Sequence, residues 1–140
     1  MKICICTTPI RPEPTSFPPF GSLAIIQSLR RGGHDVHFYN IDYSRPDQDR
    51  MEDHFTNNQY DLIGISAVVS TAYAYTKYLT ALIRRVSPDT LIVVGGNLAA
   101  SAEILLRKCQ VDFCVVGDGE KVIGNLVDVL QSSPTNREKL

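Results

Sequence analysis

Two short segments hold the residues whose types and spacing are best suited to binding a ligand. Ser66 follows the apolar run that starts at Asp61, and Gly95-Gly96 follow the apolar run Leu91–Val94. The carboxyl ends of parallel strands line the crevice where ligands bind in open sheets, so a hydroxyl and two residues without side chains would meet there. Glycines let a ligand approach the backbone closely. The pattern predicts a narrow slot for a flat or elongated ligand.

The elements that would position this slot alternate between strands and helices along the chain. Five apolar runs predict strands at Lys2–Thr7, Asp35–Asn40, Tyr60–Ser66, Thr90–Val94 and Val111–Val116. Helical spacing predicts helices at Phe20–Arg31, Thr71–Val86, Ala99–Cys109 and Lys121–Leu130, with a loose surface helix at best over Ser44–Asn58. This alternation predicts an α/β fold: a doubly wound, five-stranded parallel sheet with the flavodoxin-like (Rossmann-like) order 2-1-3-4-5.

The first connection, from Thr8 to Pro19, is longer than the usual ~2–6 residues between a strand and a helix. It cannot be helical, because it contains Pro9, Pro12, Pro14, Pro18 and Pro19. Loops of this length at the carboxyl edge of a sheet usually carry function, so we expect this loop to border the ligand.

Composition narrows the classes of protein. The 140 residues fit one domain at 1–132, followed by a polar tail or truncated linker at 133–140. With 14 basic and 15 acidic residues, the net charge of −1 gives no attraction to nucleic acid or to an anionic membrane. The apolar runs are too short to span a bilayer, and the N-terminal run reads as a core strand instead of a signal peptide. We therefore expect a cytoplasmic protein that binds neither nucleic acid nor membrane.

The four cysteines and three histidines show no pattern of a metal site or of a hydrolase. No Cys-x-x-Cys or Cys-x3-Cys-x2-Cys spacing is present, so we expect buried, reduced thiols, with Cys4 and Cys6 on one face of a strand. His34 and His54 are predicted to be solvated, and His37 to lie on an edge strand. Tyr75 and Tyr78 are predicted neighbours on one helix face.

Two other classes of protein share the predicted fold, but this chain lacks the residues that each class requires. A receiver domain requires acidic residues where this chain has Thr7-Thr8 and Ser66. A flavodoxin requires a phosphate loop rich in Thr, Ser and Gly after the first strand, whereas this chain has Thr7-Thr-Pro-Ile-Arg11. Neither class is supported.

The two segments that end in Ser66 and in Gly95-Gly96 resemble part of a known motif pattern. Cobalamin domains of the methionine-synthase type carry DxHxxG, SxL and GG motifs. Ser66-Ala-Val68 resembles the second motif and Gly95-Gly96 the third. The first is missing, because the D-x-H of Asp35-Val-His37 begins the second strand instead of following the first.

A closer resemblance is to the N-terminal cobalamin-binding domain of radical S-adenosylmethionine enzymes, the group with cobalamin-dependent methyltransferases and anaerobic protoporphyrin ester cyclase. Five segments carry it in order: Pro19-Phe-Gly-Ser-Leu-Ala24, Gly33-His-Asp-Val36, Asp61-Leu-Ile-Gly-Ile-Ser66, Val93-Val-Gly-Gly96 and Gly117-Asp-Gly-Glu120. Two features depart from this family: Asn97-Leu-Ala-Ala follows Gly96 where Pro-His-x-Thr is frequent, and the iron–sulfur cysteine triplet is absent.

The resemblance implies cobalamin as cofactor and a base-off binding mode. The implied cofactor-binding residues are Thr8, Pro19, Gly21, Ser66, Val68, Ser70, Thr71, Gly95, Gly96, Asn97, Gly117, Asp118, Gly119 and Glu120. It implies no catalytic residue in this chain and no histidine below the cobalt, because the loop after the first strand has none. The iron–sulfur cluster and S-adenosylmethionine would belong to a radical S-adenosylmethionine domain missing from this chain, acting in cis or in trans. The alternative is a cobalamin-like domain that has lost its cofactor and serves as a protein-interaction module.

Overall fold

The computed structural model describes residues 1–14, 19–67, 72–96, 102–115 and 119–132. In these residues five parallel strands form one sheet of order β2-β1-β3-β4-β5. The strands are β1 (Lys2–Thr7), β2 (Asp35–Tyr39), β3 (Leu62–Ser66), β4 (Leu91–Gly95) and β5 (Phe113–Cys114). The helices are α1 (Phe20–Arg31), α2 (Ile41–Ser44), α3 (Gln48–Asn57), α4 (Ala72–Val86), α5 (Ala102–Lys108) and α6 (Gly119–Ser132). The predicted fold class and strand order are confirmed.

The three central strands are apolar along nearly their whole length because helices cover both faces of the sheet. One face, here the α1/α6 face, packs Ile3 and Ile5 of β1 against a cluster from those two helices: Ile26, Leu29, Ile123, Val127 and Leu130. The other, the α3/α4/α5 face, packs Cys4 and Cys6 against Met51, Phe55, Leu79, Leu82, Ile83 and Leu105. Side chains alternate between the faces along each strand, as the pleat requires.

The prediction for Ser44–Asn58 is wrong. A four-residue helix α2 is followed by the regular helix α3, whose N-cap Asp47 accepts a hydrogen bond from the Arg50 backbone N–H at 2.9 Å. Met51 and Phe55, one helical turn apart, are 1% and 0% exposed and belong to the core. Two apolar residues at a spacing of four are enough to anchor a helix whose other residues are polar.

The remaining boundaries differ at element ends. The fifth strand has two residues instead of six, while the last helix extends beyond both predicted ends. Burial of Cys4, Cys6 and Cys109 is confirmed, and Cys114 is half-buried. Among the described residues, no helix has both the length and the apolar character needed to cross a membrane.

Candidate functional site at the carboxyl edge of the sheet

The last residues of the three central strands form one row across the carboxyl edge. Thr7 pairs with Ser66, and Ser66 pairs with Gly95, so these residues lie side by side in register. Each lies two or four residues after a member of the α1/α6 cluster on its own strand, and therefore points to that same face. The predicted slot residues Ser66 and Gly95 are thus brought together as neighbours.

Side chains on the α1/α6 face become smaller toward this edge. The first row across the strands is Ile3, Leu62 and Leu91, the second is Ile5, Gly64 and Val93, and the third is Thr7, Ser66 and Gly95. Ile5 fills the space over Gly64, since a Cβ there would come within 2.8 Å of Ile5 Cδ1. The second row is therefore closed, whereas the third carries only small side chains. Among the described residues, only small side chains therefore stand at the strand ends on this face, and we call the space above this third row the recess.

The two adjacent glycines have different roles. Among the described residues, a Cβ on Gly95 would meet only Val115 Cβ, at 4.0 Å, so these residues leave space above it. Gly96 has φ +93°, and a Cβ there would lie 2.7 Å from the Ala67 carbonyl oxygen. A glycine at position 96 is thus required by its backbone conformation and by a close approach, whereas neither requirement applies to Gly95 among the described residues.

Backbone and hydroxyl contacts fix the ends of β1, β3 and β4 to one another. Thr8, 2% exposed, donates its hydroxyl hydrogen to the Ser66 carbonyl at 2.9 Å. The Ala67 N–H donates to the Gly95 carbonyl at 2.9 Å. Among the described residues, the Ser66 hydroxyl has no hydrogen-bond partner. The strand ends are held rigidly, while one hydroxyl at the recess is available to a ligand.

An arginine that the sequence reasoning missed anchors the proline-rich loop at the same edge. The Arg45 guanidinium donates to the carbonyl oxygens of Arg11 (2.6 Å), Pro12 (3.0 Å) and Glu13 (3.0 Å). It also forms an ion pair with the buried Asp42 at 2.9 Å. We call this arrangement the Arg45 clamp. No local sequence signal indicates it, because the loop lies more than thirty residues away in the chain.

All three histidines lie away from this edge, and two expectations about them are wrong. His34 is 9% exposed and its Nδ1 lies 3.2 Å from the Met1 amine, at the amino edge. His54 is half-buried: it stacks on Tyr39 and its Nε2 lies 3.0 Å from the Tyr60 hydroxyl oxygen. His37 lies on the edge strand β2, as predicted, and pairs with Asp35. The first two are held by aromatic or N-terminal partners and are not solvated.

Comparison with models of known protein families identifies the family of this chain. A family model described as the B12 binding domain matches residues 14–127. The chain belongs to the B12-binding domain family. That match confirms the resemblance drawn from the five segments and establishes this as a cobalamin-binding type of domain.

Relatives of this B12-binding domain are much longer proteins. Anaerobic magnesium-protoporphyrin IX monomethyl ester cyclase of Synechocystis sp. is 30% identical over 119 residues, which cover 82% of this chain and 24% of that protein. The chain therefore spans about a quarter of the curated relative.

Solved structures share the fold of the B12-binding domain. The radical S-adenosylmethionine methyltransferase TsrM from Kitasatospora setae, with cobalamin and a [4Fe-4S] cluster bound, is similar with a TM-score of 0.74 and 20% identity. The match covers 94% of this chain and 25% of TsrM. OxsB is a cobalamin-dependent S-adenosylmethionine radical enzyme, solved with aqua-cobalamin and S-adenosylmethionine bound. It is similar with a TM-score of 0.75 and 15% identity, and the match covers 94% of this chain and 19% of OxsB.

The other predicted site residues of the B12-binding domain are only partly described. Pro19 precedes α1 and its carbonyl accepts the Leu23 N–H at 3.0 Å, while Gly21 is exposed and no described residue lies within 4 Å of a Cβ position there. Gly119 and Glu120 begin α6, which starts two residues earlier than predicted. The rest lie outside the described residues: Val68, Ser70, Thr71, Asn97, Gly117 and Asp118.

Three side chains with shifted pKa values, Cys4, Cys6 and Tyr39, lie on the α3/α4/α5 face of the sheet, opposite the face that carries the recess. The Cys4 and Cys6 sulfur atoms are 3.7 Å apart. Their hydrogen bond lowers the pKa of Cys4 to about 6, and the same contact together with burial raises the pKa of Cys6. Burial also raises the pKa of Tyr39 to about 12. Among the described residues, no three His, Cys, Asp or Glu side chains are grouped to hold a metal ion.

Proposed function

We propose that this B12-binding domain binds cobalamin base-off, with the dimethylbenzimidazole tail in the recess beside Ser66, Gly95 and Gly96. The observation that carries the proposal is the decrease in side-chain size along the α1/α6 face, which ends in the small-residue row Thr7, Ser66 and Gly95, where the described residues leave space above Gly95. A flat aromatic group needs such a recess, and this chain's residues fit it.

Burial of the tail accounts for a substantial part of the binding free energy. An aromatic group of this size loses roughly 200 Å² of exposed surface when it is enclosed. At ~25 cal/mol per Å² this contributes on the order of 5 kcal/mol, from which the costs of ordering the ligand are subtracted. The apolar floor for this contact is supplied by Ile5, Val93 and Val115.

Polar groups at the same edge suit the rest of the cofactor. We assign to the Ser66 hydroxyl a hydrogen bond with a tail nitrogen or a linker oxygen, and the same role to Ser70 or Thr71. Helix α6 begins at Gly119, and the N–H groups at a helix start favour a phosphate. We assign the cofactor's phosphate linker to this helix start and to the preceding residues Gly117 and Asp118.

Bound cobalamin supplies a cobalt centre within a flat corrin ring, and we propose that no histidine of this chain lies on its lower face. His34, His37 and His54 are engaged with Met1, Asp35 and Tyr60, away from the carboxyl edge. The loop after β1 contains no histidine. The lower face is therefore assigned to that loop, whose polarity would tune the cobalt.

We assign this domain to a larger cobalamin-dependent radical S-adenosylmethionine enzyme. The support is the cyclase relative, of which this chain covers 24%, together with a fold shared with TsrM and OxsB. In that enzyme the iron–sulfur cluster and S-adenosylmethionine would belong to another domain, and this domain would hold cobalamin without catalysing a reaction alone.

Substitution of Gly95 tests the location of the recess. Gly95→Leu fills the open space and should abolish hydroxocobalamin binding while the domain still folds, because overpacking costs ~1–3 kcal/mol in a core and more against a rigid ligand. Gly95→Ala should bind with reduced affinity. Asn57→Leu adds the same side chain at the exposed end of α3 and should bind like wild type. Wild-type affinity in Gly95→Leu would place the tail elsewhere.

Electron paramagnetic resonance of the Co(II) form tests the lower face separately. A coordinated imidazole or benzimidazole nitrogen splits each cobalt line into three, and we expect unsplit lines in the wild-type domain. A triplet that disappears in His37→Ala would contradict the proposal. If the domain instead bound no cobalamin at all, the alternative role as an interaction module without cofactor would replace it.

A further inference from the structure

We propose that Arg45 is a positioning residue for cobalamin, because its clamp fixes the loop segment Ile10–Glu13 at the edge where the cofactor binds. This inference rests on the proposed function and adds to it a residue outside the assigned set. Its basis is a single guanidinium that joins three consecutive loop carbonyls to a buried carboxylate.

The described part of the loop, residues 8–14, gains support from outside the loop because its prolines limit what its own backbone can donate. Pro9, Pro12 and Pro14 lack N–H groups and cannot donate hydrogen bonds. In the described part of the chain, residues 8–14 make no backbone-to-backbone hydrogen bond among the turn and loop contacts. Asp42 and Arg45 provide four polar contacts to residues 10–13.

The geometry of Arg45 is specific to a guanidinium. Nη1 donates to Pro12, Nη2 is shared among Arg11, Glu13 and the Asp42 carboxylate, and Nε donates to the Asp42 carbonyl at 2.7 Å. A lysine ammonium carries the same charge but lacks this planar fork of donors. Arg45 also has φ +45°, which non-glycine residues rarely adopt, so the surrounding contacts hold it in an unfavourable conformation.

Asp42 connects the clamp to the recess. Its Oδ1 accepts the Ile10 N–H at 3.2 Å, and its own N–H donates to Thr7 Oγ1 at 3.0 Å. Thr7 is the first member of the small-residue row and pairs with Ser66. The loop is therefore tied to the same strand end as the proposed tail site, so that release of the clamp would disturb the seat of the cofactor.

Arg84 offers a matched control at the opposite edge of the sheet. Its guanidinium donates to the carbonyls of Pro88, Thr90 and Gln110 and to the Asp112 carboxylate, a set of contacts much like those of Arg45. Arg84→Lys therefore removes a comparable hydrogen-bond network near the amino ends of the strands. It should lower the stability of the domain without reaching the cofactor.

The test compares Arg45→Lys and Arg84→Lys in hydroxocobalamin titrations, with visible circular dichroism of the bound corrin as a second measurement. We expect Arg45→Lys to weaken binding by about tenfold or more and to change the corrin bands. Arg84→Lys should bind within about twofold of wild type with unchanged bands. Equal losses in both variants, or wild-type binding and bands in Arg45→Lys, would overturn the inference.

Amide exchange in the cofactor-free domain keeps this test separate from the proposed function. Arg45→Lys should accelerate exchange of the Ile10 amide, whose N–H donates to the Asp42 carboxylate that Arg45 holds, and Arg84→Lys should not. Asp42→Asn removes the negative charge but keeps an oxygen that can accept from Ile10 and Arg45, and it should have a smaller effect of the same kind. Unchanged exchange in Arg45→Lys would refute the clamp, whereas a wild-type domain that fails to bind cobalamin would refute the proposed function and leave the exchange result standing.

Discussion

Three glycines allow the requirements at the carboxyl edge to be separated by alanine substitution. Gly96 has both a positive φ of +93° and a close approach to the Ala67 carbonyl. Gly33, in the turn before β2, has a similar φ of +89° but nothing within 4 Å of a Cβ position. Gly95 has neither constraint, because among the described residues its Cβ would meet only Val115 Cβ, at 4.0 Å.

The expected losses of stability follow from these differences. Gly33→Ala should cost ~1–3 kcal/mol, the price of an unfavourable backbone conformation for a residue with a Cβ. Gly96→Ala adds a contact of 2.7 Å with a backbone oxygen, which cannot move like a flexible side chain, so a further ~1–3 kcal/mol is expected. Gly95→Ala should change the free energy of unfolding by less than ~1 kcal/mol, since only the entropy of the unfolded chain differs.

Urea unfolding followed by far-ultraviolet circular dichroism measures these changes, with equal m-values confirming that the unfolding transition is comparable. The predicted order of destabilisation is Gly96→Ala, then Gly33→Ala, then Gly95→Ala. Equal stabilities of the Gly96→Ala and Gly95→Ala proteins would refute the assignment of separate roles to the two glycines. A Gly33→Ala loss as large as that of Gly96→Ala would show that the approach to Ala67 adds nothing.

Three further predictions concern the core. Phe55→Ala should cost ~3–5 kcal/mol in urea unfolding because it empties a fully buried site on α3; a change below ~1 kcal/mol would show that α3 is not part of the core. Thr76→Val should raise the free energy of unfolding by ~1 kcal/mol, because the buried Thr76 hydroxyl has no hydrogen-bond partner in the described residues, and a loss would indicate a missing partner. In a thiol-reagent time course on the native protein, half-buried Cys114 should react first, and reaction of Cys4 before it would contradict the burial of β1.

Elements bounded by clear sequence signals were predictable. Both β1 and α1 have the predicted ends. The proline-rich loop separates the end of β1 from the start of α1, and Gly32-Gly33 follow the end of α1. Helix α3 was not predictable, because its apolar stripe consists of Met51 and Phe55 alone. The burial of both residues against the sheet is visible only in the folded structure. β5 is short because only Val93 and Val94 pair with it.

The candidate site was predictable as a set of strand ends but not in its contacts. Ser66 and Gly95 follow apolar runs, which was enough to place them at one edge. That Gly95 and Gly96 have different roles depends on the approach of Ala67, which no local pattern reports. The same holds for Arg45, whose three carbonyl partners become neighbours only after the sheet has formed, and for His34, buried by its contact with the N-terminal amine.

Titration of the purified wild-type domain with hydroxocobalamin tests the central claim most directly. The visible spectrum should change toward the base-off form and saturate at about one equivalent, because the recess accepts the tail once it has left the cobalt. A spectrum that remains the sum of free protein and free cobalamin would contradict the account, and with it the assignment of the small-residue row Thr7, Ser66 and Gly95 to a cofactor.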